Sequence, residues 1–129
     1  MKPKVLLSED INPLGKGLLK GKADLIIAPD TTKETVIGLV KDVTGIILRA
    51  TTRIDAEVMS HASMLKVIAR TGVGVDNVDV EAATKKGILV CNFPGMIDLT
   101  VAEHTVSRII ALSKRILDMH HAVLEGNWG

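Results

Sequence analysis

The chain has 129 residues, 16 basic and 15 acidic, and its formal net charge of +1 at pH 7 excludes the bulk positive charge that recruits nucleic acid or a membrane surface. Apolar residues make up 47% and charged residues 24%, which allows one compact core or a small domain with an appendage. The only aromatic residues are Phe93 and Trp128, so stacking platforms for single-stranded nucleic acid are missing, and neither nucleic acid nor a membrane is expected as a partner.

At the N-terminus, Met1-Lys2-Pro3-Lys4 leads into a strand-like run shorter than a signal-peptide core. No apolar run approaches the roughly 18 residues of a spanning helix, and the expected location is the cytoplasm. Apolar runs at residues 5–7, 25–28, 46–48, 65–69 and 88–90 recur about every twenty positions, with helical patterns between them. Asn12 followed by Pro13 predicts an N-cap and first helical position, Thr31 with Glu34 a capping box, and Asp55 and Asp79 the caps of the next two helices. Gly21, Gly45 and Gly87 sit where left-handed helix ends are expected. Five strands alternating with helices predict an α/β fold, a flavodoxin-like doubly wound parallel sheet whose ligands bind beyond the carboxyl ends of the strands.

Cys91, the only cysteine, follows the fifth strand and reads as a small core residue. A lone cysteine excludes an internal disulfide and a cysteine-rich metal site, and no metal is expected. After Asn92-Phe93-Pro94-Gly95 the character changes. Thr100 with Glu103 predicts a capping box opening a helix that runs to Leu124, about 36 Å at 1.5 Å per residue. Its apolar residues, among them Val101, Val106, Ile109, Ile110, Leu112, Ile116, Leu117 and Met119, are too many for one narrow stripe, so partners on more than one side are expected. Gly126-Asn127-Trp128-Gly129 follows with no closing element, as though a second domain were missing.

The most informative stretch is residues 67–79, where Val67, Ile68 and Ala69 read as the end of a strand covered on both faces and the run breaks into Arg70, Gly72 and Gly74. Glycines there can take positive φ and lack a Cβ, so an anion can approach the bare amides, with Arg70 supplying charge and a planar fork of donors. The same Gly-x-Gly pattern also marks an ordinary tight turn. It is not the dinucleotide fingerprint, because Asn77 stands where the third glycine belongs and the next helix begins only near Asp79 or Val80. Gly15, Gly17 and Gly21 fail the same test, lying within or just after a helix. A phosphoacceptor receiver domain would share the fold, but Arg49 occupies the end of the third strand, where such a domain needs an aspartate.

Several motifs in order carry a resemblance: Leu48-Arg49-Ala50-Thr51-Thr52, residues 70–79, Glu81-Ala82-Ala83 with Lys86-Gly87-Ile88, Asn92-Phe93-Pro94-Gly95, and Val101-Ala102-Glu103-His104-Thr105. From Lys4 onward the chain resembles the D-2-hydroxy acid dehydrogenase family, and within it the D-3-phosphoglycerate dehydrogenase branch. The resemblance implies a substrate-binding domain over residues 1–98, followed at 99–129 by a linker and the first helix of an NAD-binding domain that is otherwise absent. It implies that the amides of Gly72, Val73 and Gly74 hold the carboxylate of a 2-hydroxy or 2-oxo acid, and that Val73 lies near the nicotinamide of NAD. Arg49 and Arg70 would meet the rest of the anion; two guanidiniums suit a dianion such as a phosphorylated hydroxy acid. Taken without the resemblance, Arg49 is a surface charge at a strand end. Asn92 would shape the crossover between domains, or simply bond its own backbone as a turn residue.

The family's catalytic histidine, glutamate and arginine, and its Gly-x-Gly-x-x-Gly loop, match nothing in these 129 residues, so no catalytic residue is assigned and the isolated chain is expected to be inactive. His104 falls in the first turn of the long helix, where the family often has a histidine without catalytic duty, and His61, His120 and His121 read as helix-surface residues. Phe93 replaces the family's usual small residue, and Met96-Ile97 are more apolar than its usual loop. A homodimer formed through the long helix is expected. The competing expectation is a stand-alone module that binds or senses a small anion. A Gly-x-Gly-x-x-Gly motif in the reading frame after Gly129 would decide for the dehydrogenase.

Overall fold

A computed structural model describes residues 2–127, so Trp128 and Gly129 of the closing run lie outside the described residues. The elements alternate as β1 (Lys4–Leu7), α1 (Pro13–Leu19), β2 (Asp24–Ile27), α2 (Lys33–Leu39), β3 (Gly45–Leu48), α3 (Ala56–His61), β4 (Val67–Arg70), α4 (Val80–Lys85) and β5 (Leu89–Cys91). All four strand pairings are parallel, in the order β2-β1-β3-β4-β5, which is the flavodoxin-like arrangement. Because β1 to β2 steps one way across the sheet and every later connection steps the other, right-handed crossovers put α1 on one face and α2, α3 and α4 on the opposite one.

The core lies under α2, α3 and α4. Leu6, Ile46, Leu48 and Ile68 project from the three central strands onto Val36, Val58, Met59 and Ala83 of those helices, all buried. Residues adjoining the strands also join this core, Leu65 before β4 and Ile88 before β5. α1 contributes no buried residue, and Leu14 and Leu18 are exposed.

Local signals set most helix starts. The Asn12 side chain accepts from the Leu14 N–H at 2.9 Å with Pro13 following, and Asp79 accepts from Ala82 at 2.9 Å. The second helix starts one residue later than predicted, because Asp30 binds the Thr32 N–H and hydroxyl and so presents Thr32, not Thr31, to cap Thr35. Gly21 and Gly87 are left-handed at φ 78° and 67°, whereas Gly45 is not a helix end. It opens β3, where a Cβ would crowd Val67 at 3.3 Å and Val5 at 3.5 Å. Cys91 is exposed rather than in the core, since β5 is an edge strand with a neighbour on one side only.

Asp55 does two jobs. One oxygen caps α3 by accepting from Val58 at 3.1 Å, and the other takes the Lys33 ammonium of α2 at 2.8 Å. Lys33 also pairs with Glu57. The Lys33 hydrogen bond, then the bond from Val58, hold the Asp55 carboxyl below the ordinary aspartate range. A lowered carboxyl stabilises the fold above the unfolded-state value near 3.9, and that contribution fades as pH falls through the depressed folded value. Asp55→Ala is therefore expected to cost about 1 kcal/mol at pH 7 and progressively less below pH 4. Urea titrations of both proteins at pH 7 and pH 3 measure this, and a difference that does not narrow in acid contradicts it.

The chain divides into two compact units, Met1–Pro94 and Gly95–Gly129. The second carries α5 (Asp98–Ser113) and α6 (Ile116–Leu124). The single helix predicted to open at Thr100 and run to Leu124 is thus two, and the first starts earlier, at Asp98, with no side-chain cap. The break falls at Arg115, left-handed at φ 50° and ψ 41° although neither Gly nor Pro is near. That conformation costs roughly 1–2 kcal/mol in a non-glycine residue. It is offset in part by the Lys114 N–H donating to Ile110 O at 3.0 Å, the Arg115 N–H donating to Leu112 O at 3.1 Å, and Arg115 Nε donating to Asp118 at 2.9 Å in the first turn of α6. No described helix is long and apolar enough to cross a membrane.

Candidate functional site

The carboxyl ends of β3 and β4 are joined into one platform. Leu48 pairs with Arg70 in register, and the Thr71 N–H donates to Leu48 O at 2.9 Å, so Arg49 and Arg70 leave neighbouring strands one residue apart. Farther out, Ile54 N–H donates to Asn77 O and Asp79 N–H to Ile54 O, both at 2.9 Å, forming a parallel bridge between Ile54 and Val78. Asn77 completes the joint from inside: buried, its Nδ2 donates to Arg49 O at 2.8 Å and to Thr52 O at 2.7 Å. From the sequence Asn77 counted only as a missing glycine. No spacing marks the role it has, because its partners lie 28 and 25 positions upstream.

Between these joints runs the glycine loop. Neither Gly72 nor Gly74 takes a positive φ, so the conformational reason for glycine does not hold there. What glycine supplies is room for the flexible ends of two side chains. A Cβ on Gly72 would lie 1.6 Å from Arg70 Nη1, and one on Gly74 would lie 2.8 Å from Asp76 Oδ1. Gly72 thus lets the Arg70 guanidinium fold over the loop.

The three loop amides are not equivalent. The Gly72 N–H donates to Arg70 O at 2.9 Å, while those of Val73 and Gly74 have no partner among the described residues. On the carbonyl side, Gly72 O accepts from the Phe93 N–H at 2.9 Å and Val73 O from Asn92 Nδ2 at 2.6 Å. Asn92 therefore bonds the loop and not its own backbone. Both guanidiniums lack an ion-pair partner among the described residues, and Arg70 Nε is buried without a hydrogen bond. Arg49 is exposed and lines an open cleft with Asp10, Asn12, Thr71 and Phe93. An arrangement of free N–H donors beside unpaired guanidiniums can hold a small organic anion.

The structure brings Arg49, Arg70, Gly72, Val73 and Gly74 to one end of the sheet. Of the histidines, His61 ends α3 on the surface, and His120 and His121 sit side by side on α6, ring centroids 5.9 Å apart. His104 Nε2 accepts from Arg108 Nε at 2.6 Å, one turn along α5.

The family model for the D-isomer specific 2-hydroxyacid dehydrogenase catalytic domain matches residues 5–125. The chain belongs to this family. Members of the family are NAD-dependent dehydrogenases of D-2-hydroxy acids. The chain is 37% identical over 125 residues to the D-3-phosphoglycerate dehydrogenase of Synechocystis, covering 97% of this chain and 23% of that protein. It spans about a quarter of the length of the curated relatives it matches. Among solved structures it is similar to a protein of Pyrococcus horikoshii, with a TM-score of 0.81 and 37% identity over 99% of this chain and 38% of that one. It is also similar to an NAD+-bound 3-phosphoglycerate dehydrogenase of Entamoeba histolytica, with a TM-score of 0.69 and 30% identity over 86% of this chain and 39% of that one.

Proposed function

We propose that this chain is the substrate-binding part of a cytoplasmic NAD-dependent D-2-hydroxy acid dehydrogenase that prefers a phosphorylated acid such as 3-phosphoglycerate. The observation that carries this is the pair of unpartnered N–H groups at Val73 and Gly74, at the same end of the sheet as the unpaired guanidiniums of Arg49 and Arg70. The amides receive the carboxylate of the 2-hydroxy or 2-oxo acid, with Gly72 giving Arg70 room to close over it. Arg49, at the mouth of the cleft, meets the second negative group, which favours a dianion over lactate. The residues present fit only the nicotinamide end of NAD: Val73 is half-buried beside free peptide donors, and the sequence has no Gly-x-Gly-x-x-Gly loop for the pyrophosphate. When bound, NAD accepts the hydride released from C2 of the hydroxy acid.

In this reading residues 1–98 form the substrate domain, and residues 99–129 begin the NAD-binding domain. The family's catalytic histidine, glutamate and arginine match no residue of this sequence, so residues 1–129 alone are expected to give no NAD reduction. α5 and α6 bury none of their own residues, leaving Ile109, Leu112, Leu117 and Met119 exposed, and a second copy of the chain covers them in a homodimer.

The test is a 1H–15N titration of residues 1–129 with 3-phosphoglycerate, glycerate and lactate. The Val73 and Gly74 cross-peaks are expected to move, at lowest concentration for the phosphorylated acid. Cross-peaks that stay in place through millimolar 3-phosphoglycerate would refute the reading. A second reading, a stand-alone small-anion module, draws support from the first unit, which holds the whole five-stranded sheet and its core. Under that reading, no Gly-x-Gly-x-x-Gly motif follows in the coding sequence.

A further inference from the structure

A trans peptide is planar, so its C=O and the N–H of the following residue point in opposite directions and cannot be oriented independently. No peptide among the described residues is cis. In the glycine loop the two carbonyls held by hydrogen bonds belong to the same peptide planes as the two unpartnered N–H groups. Gly72 O shares its plane with the Val73 N–H, and Val73 O shares its plane with the Gly74 N–H. Both carbonyls are taken by the segment leaving β5: Gly72 O by the Phe93 N–H at 2.9 Å, and Val73 O by Asn92 Nδ2 at 2.6 Å.

We propose that Asn92 is a positioning residue of the anion site: by holding Val73 O on the β5 side, it turns the Gly74 N–H the other way, toward the ligand. This rests on the reading of the loop as the anion cradle. The two planes are held by different means. Val73 is aimed by a backbone donor that any residue at position 93 other than proline supplies. Gly74 is aimed by a side chain that can be replaced. With no Cβ, Gly74 has the widest conformational freedom of any residue type, so its peptide has the most to lose when the clamp goes. Asn92 is itself exposed and contributes nothing to the core, which separates this role from a general bracing of the fold.

The test compares the wild-type chain with Asn92→Ala, the near-isosteric Asn92→Asp, which has no amide donor, and Asn92→Gln, which restores one. Without ligand, 15N relaxation is expected to show the Gly74 order parameter falling in the first two variants from the rigid value of about 0.85 to below about 0.6. Val73 stays rigid and melting is little changed. The dissociation constant for 3-phosphoglycerate rises about tenfold, with partial recovery in Asn92→Gln. A Gly74 amide that keeps its order in Asn92→Ala overturns the proposal, as does a loss of order shared by Val73 and the rest of the loop. If wild-type amides ignore 3-phosphoglycerate, the anion reading fails, and the ligand-free relaxation still decides whether Asn92 orients Gly74.

Discussion

Asn77→Asp is expected to destabilise the fold by about 3 kcal/mol, because it replaces the one donor that satisfies Arg49 O and Thr52 O with an acceptor that faces them both. An ionised carboxylate there would be buried against two carbonyl oxygens. A protonated one could donate to only one of them, leaving the other without its partner. Because the stability of a domain is typically 5–15 kcal/mol, such a loss is a large part of the total and corresponds to a fall in melting temperature of roughly 10 °C. The effect should also reach the site, since the same side chain joins the residues after β3 to the residues after β4. Calorimetric melts of wild type, Asn77→Asp and Asn77→Ala check this. A variant carrying aspartate that melts with the wild type would mean that the joint is held by the Ile54–Val78 bridge alone.

Arg70→Met is expected to separate binding from stability. Arg70 Nε is buried without a hydrogen bond, and the half-buried guanidinium has no acidic partner among the described residues, so in the free chain that one nitrogen is removed from water without compensation. Methionine keeps much of the apolar stem and removes that cost, so stability should hold or rise by up to about 1 kcal/mol. Affinity for 3-phosphoglycerate should fall by about 10- to 100-fold, the value of a hydrogen bond to a charged group. Isothermal titration and urea unfolding on the same two proteins measure both quantities. A variant that loses stability while keeping its affinity would place Arg70 in the fold and not in the site.

Both predictions turn on features of different legibility. Arg70 and the two glycines stand out in the sequence because a charged residue and a bare backbone interrupt an apolar run. Of the two reasons for Gly72, the missing Cβ matters and positive φ does not: its φ is ordinary, and the space is taken by the Arg70 guanidinium, which no local pattern encodes. Asn77 and Asn92 gave no sign of their roles, since asparagine is common in turns and each finds its carbonyl partner 19 to 28 positions away. The break at Arg115 was invisible for a related reason. Neither breaker residue is present, and Arg115 and Asp118 also fit an uninterrupted helix.

The sequence by itself determined the alternation of strands and helices, the caps at Asn12, Asp55 and Asp79, the left-handed glycines at 21 and 87, and the family. The family rests on the resemblance of motifs in order; the rest are set by periodicity and by interactions spanning a few residues, which the order of side chains states directly. Only the tertiary structure decided which carbonyls are clamped and so which amides stay free, and it placed Cys91 on a sheet edge instead of in the core. Those outcomes depend on which strand ends become neighbours, and a parallel sheet brings together residues that the chain holds twenty or more positions apart.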